Sequence, residues 1–293
     1  MELKTGKTIF ALGTGRCGTT FLYKVFSQEP KVASHHERHP LSDTFHRYVK
    51  WNDLPVDHAG FLAIKEEGVL NDLSNHEVSF EASAYMSFSI KELSDKFDAK
   101  FILLIRDPHK VVNSYIQKGW YAKEIIRDDV NKAVNFQPDM KCPHHSFSRI
   151  IPTGAEGEKW NSYSQVGKLA WYWNALNRKC IDQLKQLPED KYQIIRLEDL
   201  SYETFKGLEP FFGTNFEMSK TDYENLAKSK PNKLNPRRTV ESWSDREREE
   251  FLVEVQDLAK EYNYNLDFDQ IIEKEKAKKN SVEKVSVFKK IFG

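Results

Sequence analysis

Thr8-Ile9-Phe10-Ala11-Leu12-Gly13-Thr14-Gly15-Arg16-Cys17-Gly18-Thr19-Thr20-Phe21-Leu22-Tyr23-Lys24-Val25-Phe26 is the stretch that decides the fold. Residues 8–12 read as an apolar strand, 13–20 as a glycine-rich turn and 21–26 as the start of a helix. Gly13, Gly15 and Gly18 let the backbone bend where a side chain would clash, and the free N–H groups at a helix N-terminus then converge on an anion. A triphosphate-binding turn reads G-x-x-x-x-G-K-[ST], with its lysine on the terminal phosphates. Here Thr19 stands at that lysine's place and the cation comes three residues earlier, as Arg16. The spacing predicts a phosphate cradle poorly built to hydrolyse ATP or GTP.

Outward from this unit, strand and helix patterns keep alternating, which predicts an α/β three-layer sandwich around a central parallel sheet. Residues 31–34 and 78–81 read as short strands, and Phe88 to Phe97 has helical spacing. Lys100-Phe101-Ile102-Leu103-Leu104-Ile105 is the most continuous apolar run, the pattern of a central strand covered on both faces. It stops at Arg106-Asp107-Pro108, and a helix is expected from about His109 to Gln117. Residues 120–160 lack periodicity and mix prolines and glycines with aromatics, so they read as an insertion that is either a lid or substrate-binding loop or, equally, a mobile surface loop. Val166 to Leu184 repeats at three- and four-residue steps as one long amphipathic helix whose Trp171 and Trp173 read as packing residues. Residues 192–196 give a further strand, 228–239 a basic, proline-broken loop, and Asp245 to Tyr262 a closing helix. The expected organisation is one domain over 1–268 and a charged tail over 269–293, read as a solvated helix.

At 293 residues the chain has room for one large α/β domain. Lysine plus arginine and aspartate plus glutamate number 44 each, so no global field favours nucleic acid or a membrane surface. Cys17, Cys142 and Cys180 share no metal spacing and leave an odd thiol, which points to a reducing compartment. No stretch approaches a membrane span and the cradle starts too early for a signal peptide, so a soluble, cytoplasmic protein without a metal is expected if Met1 is the natural start. Oligomeric state is not legible.

Two motifs taken together, G-T-G-R-C-G-T-T-F-L near the N-terminus and F-I-L-L-I-R-D-P-H-K-V-V-N-S at residues 101–114, resemble the two halves of the nucleotide site in sulfotransferases that use 3′-phosphoadenosine-5′-phosphosulfate (PAPS). Ile195-Arg196-Leu197-Glu198-Asp199-Leu200 is similar to the family's R-Y-E-D-L strand end, and Arg237-Arg238 before Trp243-Ser244-Asp245 resembles its basic loop and closing helix. The resemblance implies that the turn Gly13, Thr14, Gly15, Arg16, Cys17, Gly18, Thr19 and Thr20 holds the 5′-phosphosulfate. It implies that Arg106 and Ser114 grip the 3′-phosphate, with Arg237 or Arg238 closing over it. Arginine's planar fork suits such a dianion.

Sulfuryl transfer to an alcohol needs a base for the acceptor proton and cations on the leaving oxygen. The second strand leads into Ser34-His35-His36-Glu37-Arg38-His39. In the carbohydrate and tyrosylprotein branches of the superfamily a glutamate follows the second strand at a comparable spacing, which implies Glu37 as the base; His35 or His36 is the alternative. Many relatives carry E-K-[ST]-P where this chain has Glu81-Ala82-Ser83-Ala84, so a lysine is missing that Lys65, Arg38 or a histidine would have to replace. The expected activity is PAPS-dependent transfer to a hydroxyl, on a carbohydrate, with aromatics such as Trp120, Tyr121, Phe136 and Phe147 available to stack on the acceptor. The competing readings are a P-loop kinase with Asp107 near Mg²⁺ and a nucleotide-binding module without catalysis.

Overall fold

The computed structural model describes residues 7–122, 129–135, 139–229 and 238–277. Five strands, β1 (Thr8–Gly13), β2 (Val32–His36), β3 (Val78–Ala82), β4 (Lys100–Ile105) and β5 (Tyr192–Arg196), form one sheet in the order β2-β3-β1-β4-β5. Every pairing is parallel. Between and after the strands run α1 (Thr19–Phe26), α2 (Pro40–Trp51), α3 (Ala59–Leu73), α4 (Ile90–Phe97), α5 (Pro108–Gln117), α6 (Gly154–Ser162) and α7 (Gln165–Leu184). Then come α8 (Tyr202–Lys206), α9 (Glu209–Phe212), α10 (Lys220–Ser229) and α11 (Asp245–Glu261).

Local chemistry sets these boundaries. Pro40 and Pro108 open α2 and α5 in their first turns, where a missing N–H costs nothing. Ser164 caps α7 by accepting from the Gly167 N–H, and Ser244 with Glu247 closes a reciprocal capping box at α11. Along β4 side chains alternate between two cores. Phe101, Leu103 and Ile105 join Phe10 and Leu12 against α4, α5, α7 and α11. Ile102 and Leu104 join Ile9 and Ala11 against α1 and α8 to α10. The sheet is therefore covered on both faces, as the unbroken apolar run of β4 anticipates.

Three segments differ from the sequence reading. Helices α2 and α3 went unseen, and the insertion contains a 3₁₀ turn at Pro143–Ser146 as well as α6. The start of the tail, 269–277, is the expected helix but is docked rather than solvated: Ile271 is buried, and the preceding Phe268 packs on Trp243 and Phe251. Its run of glutamates and lysines hides these few apolar anchors from a compositional reading.

Candidate active site

In an open parallel sheet the ligand crevice lies beyond the carboxyl ends of two adjacent strands whose connections leave in opposite directions. Here those strands are β1, whose chain leaves toward β2, and β4, whose chain leaves toward β5. The glycine turn follows β1 and Arg106 follows β4, with Gly13 in register with Leu104. The turn is held from behind by two phenols. The hydroxyls of Tyr115 and Tyr172 both donate to the Thr14 carbonyl, at 2.6 and 2.9 Å. Gly15 has φ 77°, and a Cβ there would lie 2.3 Å from the Tyr115 hydroxyl, so the close approach of ring to backbone demands glycine. Arg16 adopts φ 56°, a left-handed conformation uncommon outside glycine and frequent at functional turns. Cys17 is fully buried, and burial pushes its thiol above its ordinary value; its side chain is part of the core, leaving only its amide for the cradle.

Arg16 Nε donates to Ser114 Oγ at 2.7 Å, and Arg106 Nη1 donates to the Arg16 carbonyl at 2.6 Å. Arg106 and Ser114, the pair expected on the 3′-phosphate, are thus linked to one another through Arg16. The turn after β1 and the β4–α5 unit bring three phosphate-competent groups, Arg16, Arg106 and Ser114, together on one side of the crevice. Among the described residues the buried Arg106 Nε has no partner, while the Trp173 indole N–H donates to the Arg106 carbonyl at 2.9 Å and fixes the strand end. Asp107 and Glu198, the carboxylates that would turn Arg106 into a plain ion-pair residue, are each engaged by Lys110 at 3.3 Å. Arg238 pairs with Glu247 at 2.6 Å, whereas Arg237 lies outside the described residues.

Across the crevice, β2 runs on through His35 and His36, two residues further than its sequence pattern shows. His36 Nε2 lies 3.1 Å from Thr20 Oγ1 and 3.5 Å from Thr19 Oγ1, tying this strand end to the cradle. Glu37 follows at φ 49°, its N–H donating to the Ala82 carbonyl at 3.0 Å and its carboxylate 4.0 Å from His36 Nδ1. Burial, reinforced by the charges of Asp43 and Glu81, pushes Glu37 up to about 7. Burial lowers His36, with Glu81 opposing. His35 is turned away from the turn and sits 3.0 Å from Asp72.

Beneath Glu37 lies a buried ionic cluster. Lys65 Nζ sits 2.9 Å from Asp43 and 2.8 Å from Glu81, and Arg38 pairs with Asp72. A Cβ on Gly68 would lie 2.1 Å from Arg38 Nη1, so the glycine lets that guanidinium lie across α3. Burial raises Asp43 to about 7 against the pull of Lys65. For Glu81 burial acts upward as well, but Lys65 and Arg38 outweigh it and hold the group low. Of the three candidates for the missing lysine's place, Lys65 and Arg38 are thus committed to carboxylates, and His36 is the one in contact with the cradle.

The acceptor-side aromatics also need correction. Trp120 and Tyr121 are buried, packed around Tyr115 and Tyr172 with nothing left to stack on a ligand; Phe136 lies outside the described residues. Phe147 packs edge-on against Phe45 and Tyr48 of α2. Instead, the insertion brings His144 edge-on to Tyr85, which follows β3 and whose phenol burial and the Glu37 charge together push far up. Tyr85, Asp43 and Asp72 were not singled out from the sequence. Tyr85 follows the end of β3, whereas Asp43 and Asp72 are polar residues on the buried faces of α2 and α3, a signal invisible until those helices are placed.

A parallel sheet with a glycine turn at its switch point and an arginine in the chain after each flanking strand is an arrangement suited to an anionic ligand. The chain belongs to the sulfotransferase family: the family model described as the sulfotransferase domain matches residues 7–263. The protein is accordingly an enzyme that transfers a sulfuryl group. Among solved structures it is similar to a sulfotransferase from Mycobacterium avium, at TM-score 0.53 and 11% identity over 88% of this chain and 77% of that one. It is also similar to a sulfotransferase from Alicyclobacillus acidocaldarius, at TM-score 0.47 and 13% identity over 90% and 98%. A comparison with curated proteins gives no match. Among the described residues no helix is long and apolar enough to cross a membrane, and no group of three or more His, Cys, Asp or Glu side chains is placed to hold a metal ion.

Proposed function

We propose that the protein moves the sulfuryl group of PAPS to an acceptor hydroxyl, that Glu37 is the general base, and that the acceptor is a carbohydrate. The observation that carries this reading is Glu37 itself: a carboxylate at the crevice edge, one residue from the histidine that touches Thr20, and raised to about 7. A base with a pKa near neutrality both accepts a proton readily and is substantially ionised at working pH. The residues present also fit the donor. Among the described residues Arg106 keeps a buried Nε without a partner; Arg16 joins it to Ser114, and Thr19 and Thr20 stand at the turn's end. A dianionic 3′-phosphate would complete that donor set.

PAPS would supply the activated sulfuryl group and, in 3′,5′-ADP, its leaving group. Glu37 takes the acceptor's proton as the acceptor oxygen bonds to sulfur and the bond from sulfur to the 5′-phosphate oxygen breaks. Arg16 and the turn amides meet the charge that builds on that oxygen. His36, already bonded to the turn, holds the base's strand end against the cradle. Donors and acceptors at the mouth, from His36, Glu37 and His39, suit a polyhydroxylated acceptor. A second reading rests on Leu41 and Phe45, 53% and 43% exposed on α2 just past His39, which favour an acceptor with an apolar part.

Incubation with labelled PAPS and a panel of oligosaccharides, phenols and hydroxylated lipids tests both. Transfer to an oligosaccharide with equimolar 3′,5′-ADP, unaffected by EDTA, is expected. Transfer confined to the apolar acceptors would select the second reading, and metal-dependent phosphate release from ATP would reverse the assignment to a kinase. In calorimetry 3′,5′-ADP should bind more tightly than 5′-AMP by about 2 to 5 kcal/mol, the usual cost of losing a desolvated charge pair, and Arg106→Ala should erase the difference.

A further inference from the structure

Arg47 is the anomaly of the molecule. It is fully buried on α2, yet among the described residues it has no carboxylate partner. Its Nη2 donates to the Tyr172 hydroxyl at 2.9 Å, its guanidinium carbon lies 5.5 and 5.6 Å from the ring centres of Tyr172 and Phe88, and its Nε and Nη1 have no hydrogen-bond partner among the described residues. An unpaired buried cation is among the costliest features a fold can hold, and replacing such a group by an apolar one of similar size is commonly neutral or stabilising. Strain of this kind persists where function uses it.

The use is visible in what Arg47 touches. Tyr172, which accepts from Arg47, donates in turn to the Thr14 carbonyl, beside the bond from Tyr115. A line of two hydrogen bonds therefore runs from the buried cation to the back of the glycine turn. We propose that Arg47 is a positioning residue for the bound anion. It polarises Tyr172 so that the Thr14–Gly15 peptide is held fixed, and it places one uncompensated positive charge behind the turn, in a medium too dry to screen it. This rests on the reading of the turn as the phosphosulfate site. At roughly 10 Å and a protein-like dielectric, one such charge corresponds to about a tenfold difference in the affinity of an anion.

The test is 3′,5′-ADP affinity by calorimetry beside denaturant stability, in the native protein, Arg47→Met and Arg47→Gln. Both substitutions remove the charge, and glutamine keeps a donor for Tyr172. The expected result is about a tenfold weaker affinity in each, with the denaturation midpoint of Arg47→Met unchanged or raised. Tyr172→Phe, which keeps the charge and cuts the line to Thr14, should lose about threefold. Arg47→Gln binding as tightly as the native protein overturns this inference alone, as does a loss of affinity matched by a fall in the midpoint of every variant. Should Arg47→Met not fold, Arg47→Gln decides by the same criterion. No binding by the native protein overturns the donor reading, and this inference with it.

Discussion

At the scale of single residues, the two non-glycine positions held in left-handed backbone on either side of the crevice are Arg16 and Glu37. The left-handed conformation of each turns a charged side chain out of the regular course of its chain at the end of a strand. Arg16 is singled out by the motif that contains it, and Glu37 by the family resemblance, which implies a glutamate after the second strand. Neither the raised value of Glu37 nor the Arg16–Ser114 bond is readable from local sequence, since the first depends on burial and on the folded placement of Asp43 and Glu81 and the second joins distant parts of the chain. If Glu37 is the base, it must be ionised to act, so kcat/KM should climb about tenfold per pH unit up to about 7 and level off above. Glu37→Gln should leave 3′,5′-ADP affinity unchanged, remove that limb and lower turnover by about two to four orders of magnitude. An active Glu37→Gln beside an inactive His36→Ala would move the role to the histidine.

At the scale of elements, α2 explains why part of the chain resisted reading. Periodicity arguments look for apolar residues on the buried face, but α2 buries Asp43, Thr44, His46 and Arg47 and leaves Leu41 and Phe45 exposed. Apart from Val49 its fully buried face is polar, with Asp43 paired to Lys65 and Arg47 bonded to Tyr172 behind the turn. By contrast α7 and α11 bury ordinary apolar stripes and were read almost to the residue. His46 is the structural member of the α2 set: stacked on Phe61 at 3.9 Å, with Nδ1 2.7 Å from Ser89 Oγ and Nε2 3.0 Å from His58 Nδ1. Burial pushes it from 6.5 down to about 4. Between those values the unfolded chain holds the extra proton, so stability is full above about 6.5 and is lost as the pH falls toward 4. Urea unfolding at a series of pH values should show this as a loss on the order of 2 to 3 kcal/mol. His46→Gln should flatten the slope; an unchanged slope would assign the acid sensitivity to another group.

At the scale of the whole molecule, the parallel sheet does two jobs that were both visible in the run from Lys100 to Arg106. It delivers the carboxyl ends of β1, β2 and β4 to one edge, and it separates two cores that share no side chains. The docked segment 268–277 adds to one of them through Ile271, and extends a polar network in which His109 lies 2.6 Å from Asp107 and 3.9 Å from Glu275. Because β4 alternates, Ile102 and Ile105 are both fully buried but belong to opposite cores. Ile102→Val and Ile105→Val should each cost about 0.5 to 1.5 kcal/mol, one methyl lost without a repacked neighbour. With no partners in common, the double variant should cost their sum to within about 0.5 kcal/mol at unchanged m-value. A coupling clearly larger than that would mean the two cores communicate through the sheet. Only Ile105→Val, next to Arg106, should in addition weaken 3′,5′-ADP binding, because the Ile102 side chain faces the core away from α5 and Ser114.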